Sequence, residues 1–346
     1  MLKDLTIIII TYKRYEYLKR LLEFYLNFDL EYKILILDST PYDHNDKKLK
    51  TYFSLPSVMH KQFDEKIFFV EKIKLGCKFI NTKYSVLCAD DDFLVPSGLI
   101  KCRDFLKRNF DYSCAHGYYY QHYKNKNEIS FSKLYSNSTS AEQNDPIDRV
   151  KFYTTNKMGS YTFYALYRTN TFNKIWDETS KYVHDHLISE IFPCCLSLIF
   201  GKVKYLKVFY SSREANLYSW WSDKRVKEIT NDDKMNKCIN GISSNLIEQN
   251  LSANNKNINL QVTEIINEKR EQFINLYNKK KLNKKRITLV RRIINFLQRI
   301  YVKLMYSGCP KEIYFTSYKE YLLLKKLILS SGANQLQLNE SRKENN

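Results

Sequence analysis

The sequence contains eight cysteines but no CxxC pair, and several of the cysteines lie within apolar runs. This spacing excludes the usual zinc-binding motifs and gives no sign of a disulfide framework, so it predicts buried free thiols in a reduced compartment. No stretch of 18 uncharged apolar residues is present, and the first residues begin a strand without a cleavable signal pattern. We therefore expect no transmembrane helix and a cytoplasmic location.

Glycine (8) and proline (6) are also scarce among the 346 residues, whereas 44% are hydrophobic and 15% aromatic. That composition supports a substantial core and excludes global disorder. The length allows one large domain with an accessory region, or two modest domains. With 56 basic and 37 acidic residues, the formal net charge is +19. Such a charge predicts a polyanionic partner: nucleic acid, anionic lipid or phosphorylated small molecules.

Apolar runs alternate with amphipathic helical segments in the first part of the chain, which predicts a mostly parallel α/β sheet covered on both faces. The expected strands are residues 5–10, 33–37, 67–70, 84–89 and 112–118, and helices are expected after residue 14 and over residues 97–108. Residues 125–150 are polar and predict a loop or hinge. The carboxyl ends of parallel strands line one crevice, where such sheets bind ligands.

Three consecutive aspartates, Asp90, Asp91 and Asp92, directly follow the expected strand at residues 84–89. Adjacent carboxylates repel one another, so a site that keeps them together at a strand end usually holds a cation. A small set of hard oxygen ligands suits Mg²⁺ or Mn²⁺ that bridges to phosphate oxygens. The alternative interpretation is a plain acidic turn at the surface.

Four segments, LTIIIITYKR, ILILDST, LGCKFINTKYSVLCADDD and DHLISE with a following GK, resemble family 2 glycosyltransferases of the GT-A fold. The resemblance implies an α/β fold with a mostly parallel sheet flanked by helices, here with a helical C-terminal extension. It also implies a nucleotide-sugar donor, a glycan or lipid-linked acceptor, and Mn²⁺ or Mg²⁺ as cofactor. A role in bacterial surface polysaccharide or glycan synthesis is expected, with no nucleic acid as partner.

The resemblance also implies the residues of the site. In this family the first loop and the aspartate after the second strand hold the nucleotide, and a DxD-type element binds the cation on the diphosphate. By position, the nucleotide-sugar-binding residues would be Thr11, Tyr12, Lys13, Arg14, Asp38, Lys78, Asp90 and Asp91. Asp90 and Asp92 would be the metal ligands, because residues i and i+2 of an extended segment point to the same side. Lys78 stands where the family commonly has an arginine.

Transfer of the sugar needs a carboxylate that takes the proton of the acceptor hydroxyl while the nucleoside diphosphate leaves. The resemblance implies that this displacement inverts the anomeric configuration. The segment DHLISE offers Asp185 and Glu190 as the base. They are five residues apart, about 140° around a helix, so we expect only one to face the site. Asp185 is favoured and Glu190 is a close second; the alternative for Asp185 is an acid stabilised by the dipole at a helix start.

Three regions are expected: residues 1–124 as the nucleotide-sugar-binding half, 125–222 as the acceptor-side part of the same catalytic domain, and 223–346 as a helical, basic C-terminal region. The second is rich in aromatic residues, which are mostly expected in the core, with some available to stack on sugar rings. In the third, residues 279–306 combine a polybasic run with an amphipathic helix. This segment either attaches peripherally to the anionic inner face of the cell membrane or packs on the catalytic domain with a solvated basic face.

Two other functions compete with glycosyl transfer. A nucleotidyltransferase of related fold would need a glycine-rich first loop for the triphosphate, and residues 11–14 contain no glycine, which disfavours it. A basic nucleic-acid-binding protein would agree with the net charge and the many Tyr and Lys residues. Much of the obvious basic clustering lies in residues 279–303 instead, away from the α/β site.

Overall fold

The structure is a computed structural model that describes residues 2–28, 30–41, 46–125, 128–135, 138–155, 161–184, 188–215, 230–249, 255–283 and 309–330. Its strands are β1 Leu5–Thr11, β2 Lys33–Asp38, β3 Val58–Gln62, β4 Tyr84–Ala89, β5 Phe93–Leu94, β6 Tyr112–Asn125, β7 Glu128–Leu134, β8 Leu166–Arg168 and β9 Lys202–Glu214. Its helices are α1 Tyr15–Leu26, α2 Lys47–Phe53, α3 Phe69–Cys77, α4 Pro96–Arg108, α5 Pro146–Thr155, α6 Thr169–Tyr182, α7 Ile188–Ile199, α8 Asp232–Gln249, α9 Asn255–Asn283, α10 Lys311–Thr316 and α11 Tyr318–Ser330.

The strands of these described ranges form one sheet in the order β3-β2-β1-β4-β8-β6-β9-β5, with β7 paired to β6. The first four strands in that order are parallel to one another. Their register pairs Thr11 with Asp38 and Ile10 with Ala89, so the carboxyl ends of β1, β2 and β4 lie side by side. The mostly parallel α/β fold expected from the sequence is confirmed, and Asp90 follows β4 at the ligand-binding edge.

The apolar run of β1 is buried on both faces, as a central strand of a covered sheet requires. Helix α1 packs on this sheet through Leu18, Leu21 and Leu22, which are buried at the i, i+3 and i+4 positions of one face. Helix α4 begins at Pro96, where the missing backbone N–H costs no helical hydrogen bond. Both helices were expected from their sequence patterns, and both are confirmed.

The prediction of a strand at residues 67–70 is wrong. This stretch leads into α3, whose buried face includes Val70 and Ile73. A run of four apolar residues cannot be assigned to a strand or a helix by periodicity alone. The next parallel strand is instead β3, in which Val58 is buried and the other residues are partly or fully exposed. Its weak apolar pattern is that of an edge strand.

The loop or hinge expected at residues 125–150 is also wrong in part. Strand β7 pairs antiparallel with β6 in this stretch, and α5 begins at Pro146. Strand β6 extends to Asn125 rather than ending near residue 118. Most β7 side chains are exposed or half-buried while Ile129 is buried, because β7 is an outer strand whose hydrophobic contacts are few.

Strand β9 runs parallel to β6 and also pairs with the short strand β5, where Phe93 lies opposite Ser212. Since β5 starts directly after the aspartate run, this pairing brings the last residues of β9, Arg213 and Glu214, against Asp92. Residues more than one hundred positions apart thereby meet at one sheet edge.

Part of the C-terminal region packs on the catalytic sheet. Cys309, Ile313 and Tyr321 share an apolar cluster with residues of the sheet and of the start of α4. Glu320 accepts a hydrogen bond from Ser97 N at 3.0 Å, which satisfies one of the unpaired donors at the start of α4. The amphipathic segment at 287–306 lies outside the described residues, and the expected domain boundaries stay predictions.

All eight cysteines are free, and all but the half-buried Cys77 are buried, so the prediction of free thiols is confirmed. In the part of the chain that the structure describes, no helix has both the length and the apolar character needed to cross a bilayer.

Gly98 tests the close packing of α4 on β9. A Cβ atom at this position would overlap the carbonyl oxygen of Phe209, which is backbone and cannot move aside easily. We therefore expect Gly98→Ala to lower the free energy of unfolding by about 1–3 kcal/mol. Urea denaturation of the full chain measures this. Lys101→Ala, at an exposed position of the same helix, should change stability by less than about 0.5 kcal/mol; equal effects of the two would contradict the packing.

Candidate active site

The loop after β1 holds one end of the aspartate run. Thr11 Oγ1 donates a hydrogen bond to Asp90 Oδ2 at 2.7 Å. Arg14 spans two carboxylates, with Nη1 3.0 Å from Asp90 Oδ1 and Nη2 2.8 Å from Asp91 Oδ2. The planar guanidinium suits such a two-point contact, which a lysine could not make. Thr11 and Arg14 therefore lie beside Asp90 and Asp91, and their roles in nucleotide binding stay predictions.

The aspartates form a turn, closed by Asp92 N donating to Ala89 O at 3.2 Å. The expectation that Asp90 and Asp92 lie on an extended segment is therefore wrong. Asp92 is held from the opposite side of the site, by β9. Arg213 Nε donates to its Oδ2 at 2.9 Å, and Glu214 N donates to its Oδ1 at 3.0 Å. The turn thus divides the carboxylates between the β1 loop and β9.

All three aspartates are at most 5% exposed. Burial raises the pKa of Asp90 to about 7, although Arg14 opposes the rise. Burial likewise raises the pKa of Asp92 to about 7 against the opposing charge of Arg213. In both cases the negative charge of Asp91 adds to the rise. The arginines therefore compensate only part of the charge that the fold concentrates here, and the acidic-turn alternative is excluded because the run is buried.

A buried ion pair, Arg20 with Glu214, contacts the main chain of the aspartate turn. Arg20, on α1, donates from Nη2 to Glu214 Oε2 at 2.6 Å and to the main-chain oxygen of Asp91 at 3.1 Å. His122 Nε2 lies 3.6 Å from the same Glu214 oxygen. Burial acts to raise the pKa of Glu214, but His122 and Arg20 outweigh it and the pKa falls below its ordinary value. Glu214 is thus an anion that fixes Arg20 under the aspartate backbone.

Asp38 ends β2 and is fully buried. It accepts hydrogen bonds from the Tyr15 hydroxyl at 2.8 Å, from Thr40 N at 2.8 Å and from His60 Nε2 at 3.1 Å. Burial alone would raise the pKa of Asp38, but the hydrogen bonds from His60 and Thr40 lower it below the ordinary value. Asp38 is therefore an ionised anchor that orders the groups around it.

The cation of α3 that faces the site is Lys72 rather than Lys78. Lys72 is 4% exposed, and its Nζ lies 3.3 Å from Thr11 O. Burial lowers the pKa of Lys72 to about 8, while the charges of Asp38 and Asp90 oppose that fall. Lys78 is exposed, with its Nζ 5.2 Å from the centre of the Phe79 ring. The sequence patterns missed Lys72 because residues 67–70 were assigned to a strand; on a helix, it shares the buried face with Ile73.

Tyr12 and Lys13 turn toward Glu65. The Tyr12 hydroxyl donates to Glu65 Oε2 at 3.1 Å, and Lys13 Nζ lies 3.7 Å from the same oxygen. Lys13 has a φ of 56°, a conformation that few residues other than glycine adopt. Its N–H donates to Thr40 Oγ1 at 2.9 Å, which ties the β1 loop to the β2 loop. The roles of Tyr12 and Lys13 in nucleotide binding stay predictions.

The other side of the site is aromatic and cationic. Arg213 Nη1 donates to the Tyr135 hydroxyl at 2.9 Å, and its guanidinium carbon lies 4.7 Å from the centre of the Tyr164 ring. Burial dominates the pKa values of Tyr135 and Tyr164, and the charge of Glu190 raises both further. Glu190, in the first turn of α7, is therefore electrostatically coupled to the groups around Asp92.

Asp185 lies outside the described residues, as do Trp220 and Trp221, two members of the aromatic-rich region expected on the acceptor side. Within the described part of the aromatic-rich region 125–222, the side chains of Phe163, Tyr167 and Trp176 are buried in the core, as expected for most aromatic residues there. The assignment of the catalytic base to Asp185 or Glu190 stays a prediction.

Among the described residues, no group of three or more His, Cys, Asp or Glu side chains is arranged to hold a metal ion. Carboxylate oxygens are nevertheless suitable ligands for Mg²⁺ or Mn²⁺. Burial raises the pKa values of Asp90 and Asp92, and a divalent cation would oppose that rise because it stabilises their charged forms. The residues present therefore fit an ion that takes one or two protein oxygens and completes its coordination with ligand phosphates and water.

Residues 6–176 match the model of the family described as "Glycosyl transferase family 2". These residues form a family 2 glycosyltransferase domain. The matched range contains β1, β2 and β4 with Thr11, Asp38 and the aspartate run, and it confirms the resemblance seen in the sequence. The match identifies this part of the chain as a glycosyltransferase, which disfavours the nucleotidyltransferase and nucleic-acid-binding alternatives.

Solved structures with a similar fold include residues 1–349 of S. aureus TarS, at 12% identity and a TM-score of 0.51. The same TarS fragment in complex with UDP has 11% identity and a TM-score of 0.51, and its complex with UDP-GlcNAc has 12% identity and a TM-score of 0.51. Each comparison covers 94% of this chain and 90% of the TarS fragment. At such identities the likeness concerns the fold alone. A comparison of this sequence with curated protein sequences found no match.

Substitution of Lys72 tests whether the buried cation belongs to the nucleotide side of the site. We expect Lys72→Met to weaken binding of a nucleoside diphosphate about tenfold or more, because Asp38 and Asp90 would lose a compensating charge. Titration calorimetry measures the affinity. Lys78→Met, on the exposed part of the same segment, is the matched control and should change the Kd less than about twofold. Similar affinities of the two variants would remove Lys72 from the site.

The pKa values of the aspartates predict a pH dependence of stability. The pKa of Asp92 rises from 3.8 to about 7 on folding, so the folded protein binds more protons than the unfolded chain between these values. Its contribution to stability therefore falls as the pH rises through this window. Relative to Asp92→Asn, the wild type should lose at least about 1.4 kcal/mol between pH 4 and pH 7, the equivalent of one pKa unit.

Urea denaturation at several pH values in the presence of EDTA measures this difference. The comparison with the variant is needed because His116 and His122, whose pKa values are lowered by burial, contribute in the opposite direction. Asp111→Asn is the control: the pKa of Asp111 lies below 3.8 owing mainly to Lys202, so its effect falls outside the window. A pH-independent difference between wild type and Asp92→Asn would contradict the raised pKa.

Proposed function

We propose that this glycosyltransferase moves a sugar from a UDP-linked donor to an acceptor hydroxyl, assisted by Mg²⁺ or Mn²⁺ and with inversion at the anomeric carbon. The observation that carries the proposal is the convergence of Thr11, Arg14, Asp38 and the aspartate run at one sheet edge, within the range matched by family 2. The fold likeness to TarS structures with bound UDP and UDP-GlcNAc supports uridine diphosphate as the nucleotide to be tested first.

The nucleotide would lie against the β1 and β2 loops. Asp38 has no exposed surface, so it contributes by holding Tyr15, His60 and Thr40 in position. The His60 ring stacks on Phe53 with 4.1 Å between ring centres, which fixes its orientation. A flat base can be recognised by such an ordered aromatic and polar wall. Lys72, beneath the Thr11 carbonyl, supplies positive charge between Asp38 and Asp90.

The diphosphate would lie over the aspartate turn. Asp90 and Asp92 are the proposed ligands of the divalent cation, which when bound stabilises the charge that develops on the leaving diphosphate. In the absence of a cation, Arg14 and Arg213 partly compensate the charge of these carboxylates. If the cation takes over that task, each guanidinium can turn a donor toward the phosphate oxygens, as planar arginines do well. Asp91 is held by Arg14 and keeps its place in the nucleotide-sugar site.

The acceptor would enter from the side of β9 and α7. The proton of its hydroxyl passes to a carboxylate as the oxygen attacks the anomeric carbon on the face opposite the diphosphate. Asp185, just before α7, and Glu190, in its first turn, are the two candidates for this base. Glu190 is coupled to Arg213 and the tyrosines beside Asp92, which supports its nearness to the chemistry. A glycan or lipid-linked acceptor of bacterial surface polysaccharide synthesis, met at the inner face of the cell membrane, agrees with the strongly basic chain.

A screen of nucleotide sugars for thermal stabilisation in the presence of Mn²⁺ tests the donor and the metal. A donor at about 100 times its Kd should stabilise the folded chain by about 2.7 kcal/mol. We expect UDP sugars to stabilise most, and Asp92→Ala to abolish the Mn²⁺-dependent part. Asp111→Ala, an exposed carboxylate, is the control. Stabilisation of Asp90→Ala and Asp92→Ala equal to the wild type would sink the metal assignment, and no response to any nucleotide sugar would sink the donor class.

The same donor then separates the two candidate bases. Asp185→Asn and Glu190→Gln should both still bind the donor, whereas the variant that lacks the base should lose about 100-fold or more in turnover. Water serves as the acceptor in this assay, so the hydrolysis of the donor to free sugar is the readout. Full turnover in both variants would show that neither carboxylate is the base.

A further inference from the structure

We propose that the surface of the two C-terminal helices α10 and α11 docks on an anionic lipid bilayer. The surface is defined by Tyr314, Phe315, Tyr318 and Leu322, called here the aromatic strip. This inference deepens the lipid-linked acceptor of the proposed function, but it is carried by separate observations. The described residues 311–330 lie at the other end of the chain from the family 2 motifs.

The strip is a continuous apolar surface that faces solvent. Phe315 is 68% exposed, Leu322 46% and Tyr314 36%. The Tyr314 ring contacts both the Phe315 ring, at 5.4 Å between centres, and the Tyr318 ring, at 4.9 Å. Leu322 lies one helical turn beyond Tyr318 on α11, so it extends the same face. Contiguous exposed apolar residues of this kind mark an interaction surface, whereas single ones do not.

Positive charge surrounds the strip. Lys311, Lys319 and Lys326 are exposed and lie three or four residues from members of the strip on the same helices. Residues 309–330 hold four lysines and two glutamates, and Glu320 is engaged with Ser97 N of α4. The sequence that leads into the strip is more basic still: residues 272–311 contain eleven Lys and Arg and no Asp or Glu. Forty residues without a single acid create an attraction for an anionic surface.

This combination favours a bilayer over the other occupants. Aromatic rings and leucine insert at the boundary between headgroups and acyl chains, while lysines beside them meet anionic headgroups and bury their stems. A second copy of the chain would bring the same positive charge to the strip and be repelled. A nucleic acid would satisfy the charge, but it offers no hydrocarbon for Leu322.

The strip is also rigidly connected to the active site. Ser317 and Glu320 hydrogen-bond to Ser97, in the first turn of α4, and α4 begins four residues after Asp92. Tyr321, on the inner side of α11, packs in an apolar cluster with Val95 and Phe209. Docking of the strip would thus hold the aspartate turn at a fixed height above the membrane, where a lipid-linked acceptor presents its hydroxyl.

Vesicle sedimentation of the full chain tests the proposal, with vesicles of phosphatidylcholine alone and vesicles that also contain phosphatidylglycerol. We expect binding to the anionic vesicles and none to the neutral ones. The double variant Phe315→Ser, Leu322→Ser should weaken binding more than about tenfold, because two apolar side chains no longer insert. Leu260→Ser and Phe110→Ser remove exposed apolar residues elsewhere, 60% and 81% exposed, and should bind as the wild type does.

Two outcomes would overturn the proposal: no sedimentation with anionic vesicles at low salt, or equal binding by the double variant and the controls. A concentration-dependent dimer in ultracentrifugation that the double variant loses would make a second copy the occupant and overturn it as well. Thermal melting checks that the double variant folds. Binding is measured without nucleotide, and hydrolysis of the donor is measured without vesicles, so failure of the docking surface and failure of the proposed function are seen separately.

Discussion

The burial of three adjacent carboxylates is the constraint on which the site depends. Asp90, Asp91 and Asp92 are almost without solvent, and unscreened like charges at this spacing strongly oppose ionisation. The fold answers with arginines from different parts of the chain: Arg14 at the start of α1 and Arg213 at the end of β9. Each arginine reaches the run through the sheet: Arg14 follows β1, which pairs with β4, and Arg213 reaches Asp92 because β9 pairs with β5. The strand order of the catalytic domain is therefore tied to the electrostatics of its site.

The compensation is incomplete, and this has a functional meaning. The pKa values of Asp90 and Asp92 stay near 7 in spite of their arginine partners. Buried carboxyls that hold protons near neutral pH can exchange those protons for a divalent cation, and ion pairs that can be exchanged allow the arginines to face phosphate once it arrives. A fully neutralised cluster would be more stable and would bind less.

The Arg20–Glu214 pair has a different role because it is almost entirely shielded from solvent. Both side chains are buried, and removing one partner from such a pair leaves the other charge uncompensated. Its geometry joins α1 to β9 and donates to the main chain of Asp91, so it sets where the turn lies without contacting the substrate. The site therefore contains two sets of charges. The ion pairs of Arg14 and Arg213 with the aspartates can be exchanged, whereas the Arg20–Glu214 pair is fixed.

Much of the site could be read from local patterns. The apolar strand before Asp90, the aspartate at the end of β2 and the loop of Thr11 and Arg14 are short-range signals, since parallel strands bring their carboxyl ends together. Lys72 could not be found in this way, because the apolar residues 67–70 gave no basis for choosing helix over strand. Strand β7 could not be predicted for another reason: its exposed and half-buried side chains give a polar pattern that is typical of a loop.

What the sequence by itself determined was the class of fold and the residue types of the chemistry, because strand burial and helix periodicity are encoded within a few neighbouring residues. Only the tertiary structure decided how the charges are paired. Contacts between residues far apart in the chain decide these pairings. They pair Asp92 with Arg213 and Glu214 with Arg20. They also place Lys72, rather than Lys78, near Asp38 and Asp90. Pairing of buried charges is settled by distance and desolvation, and neither quantity exists until the sheet has formed.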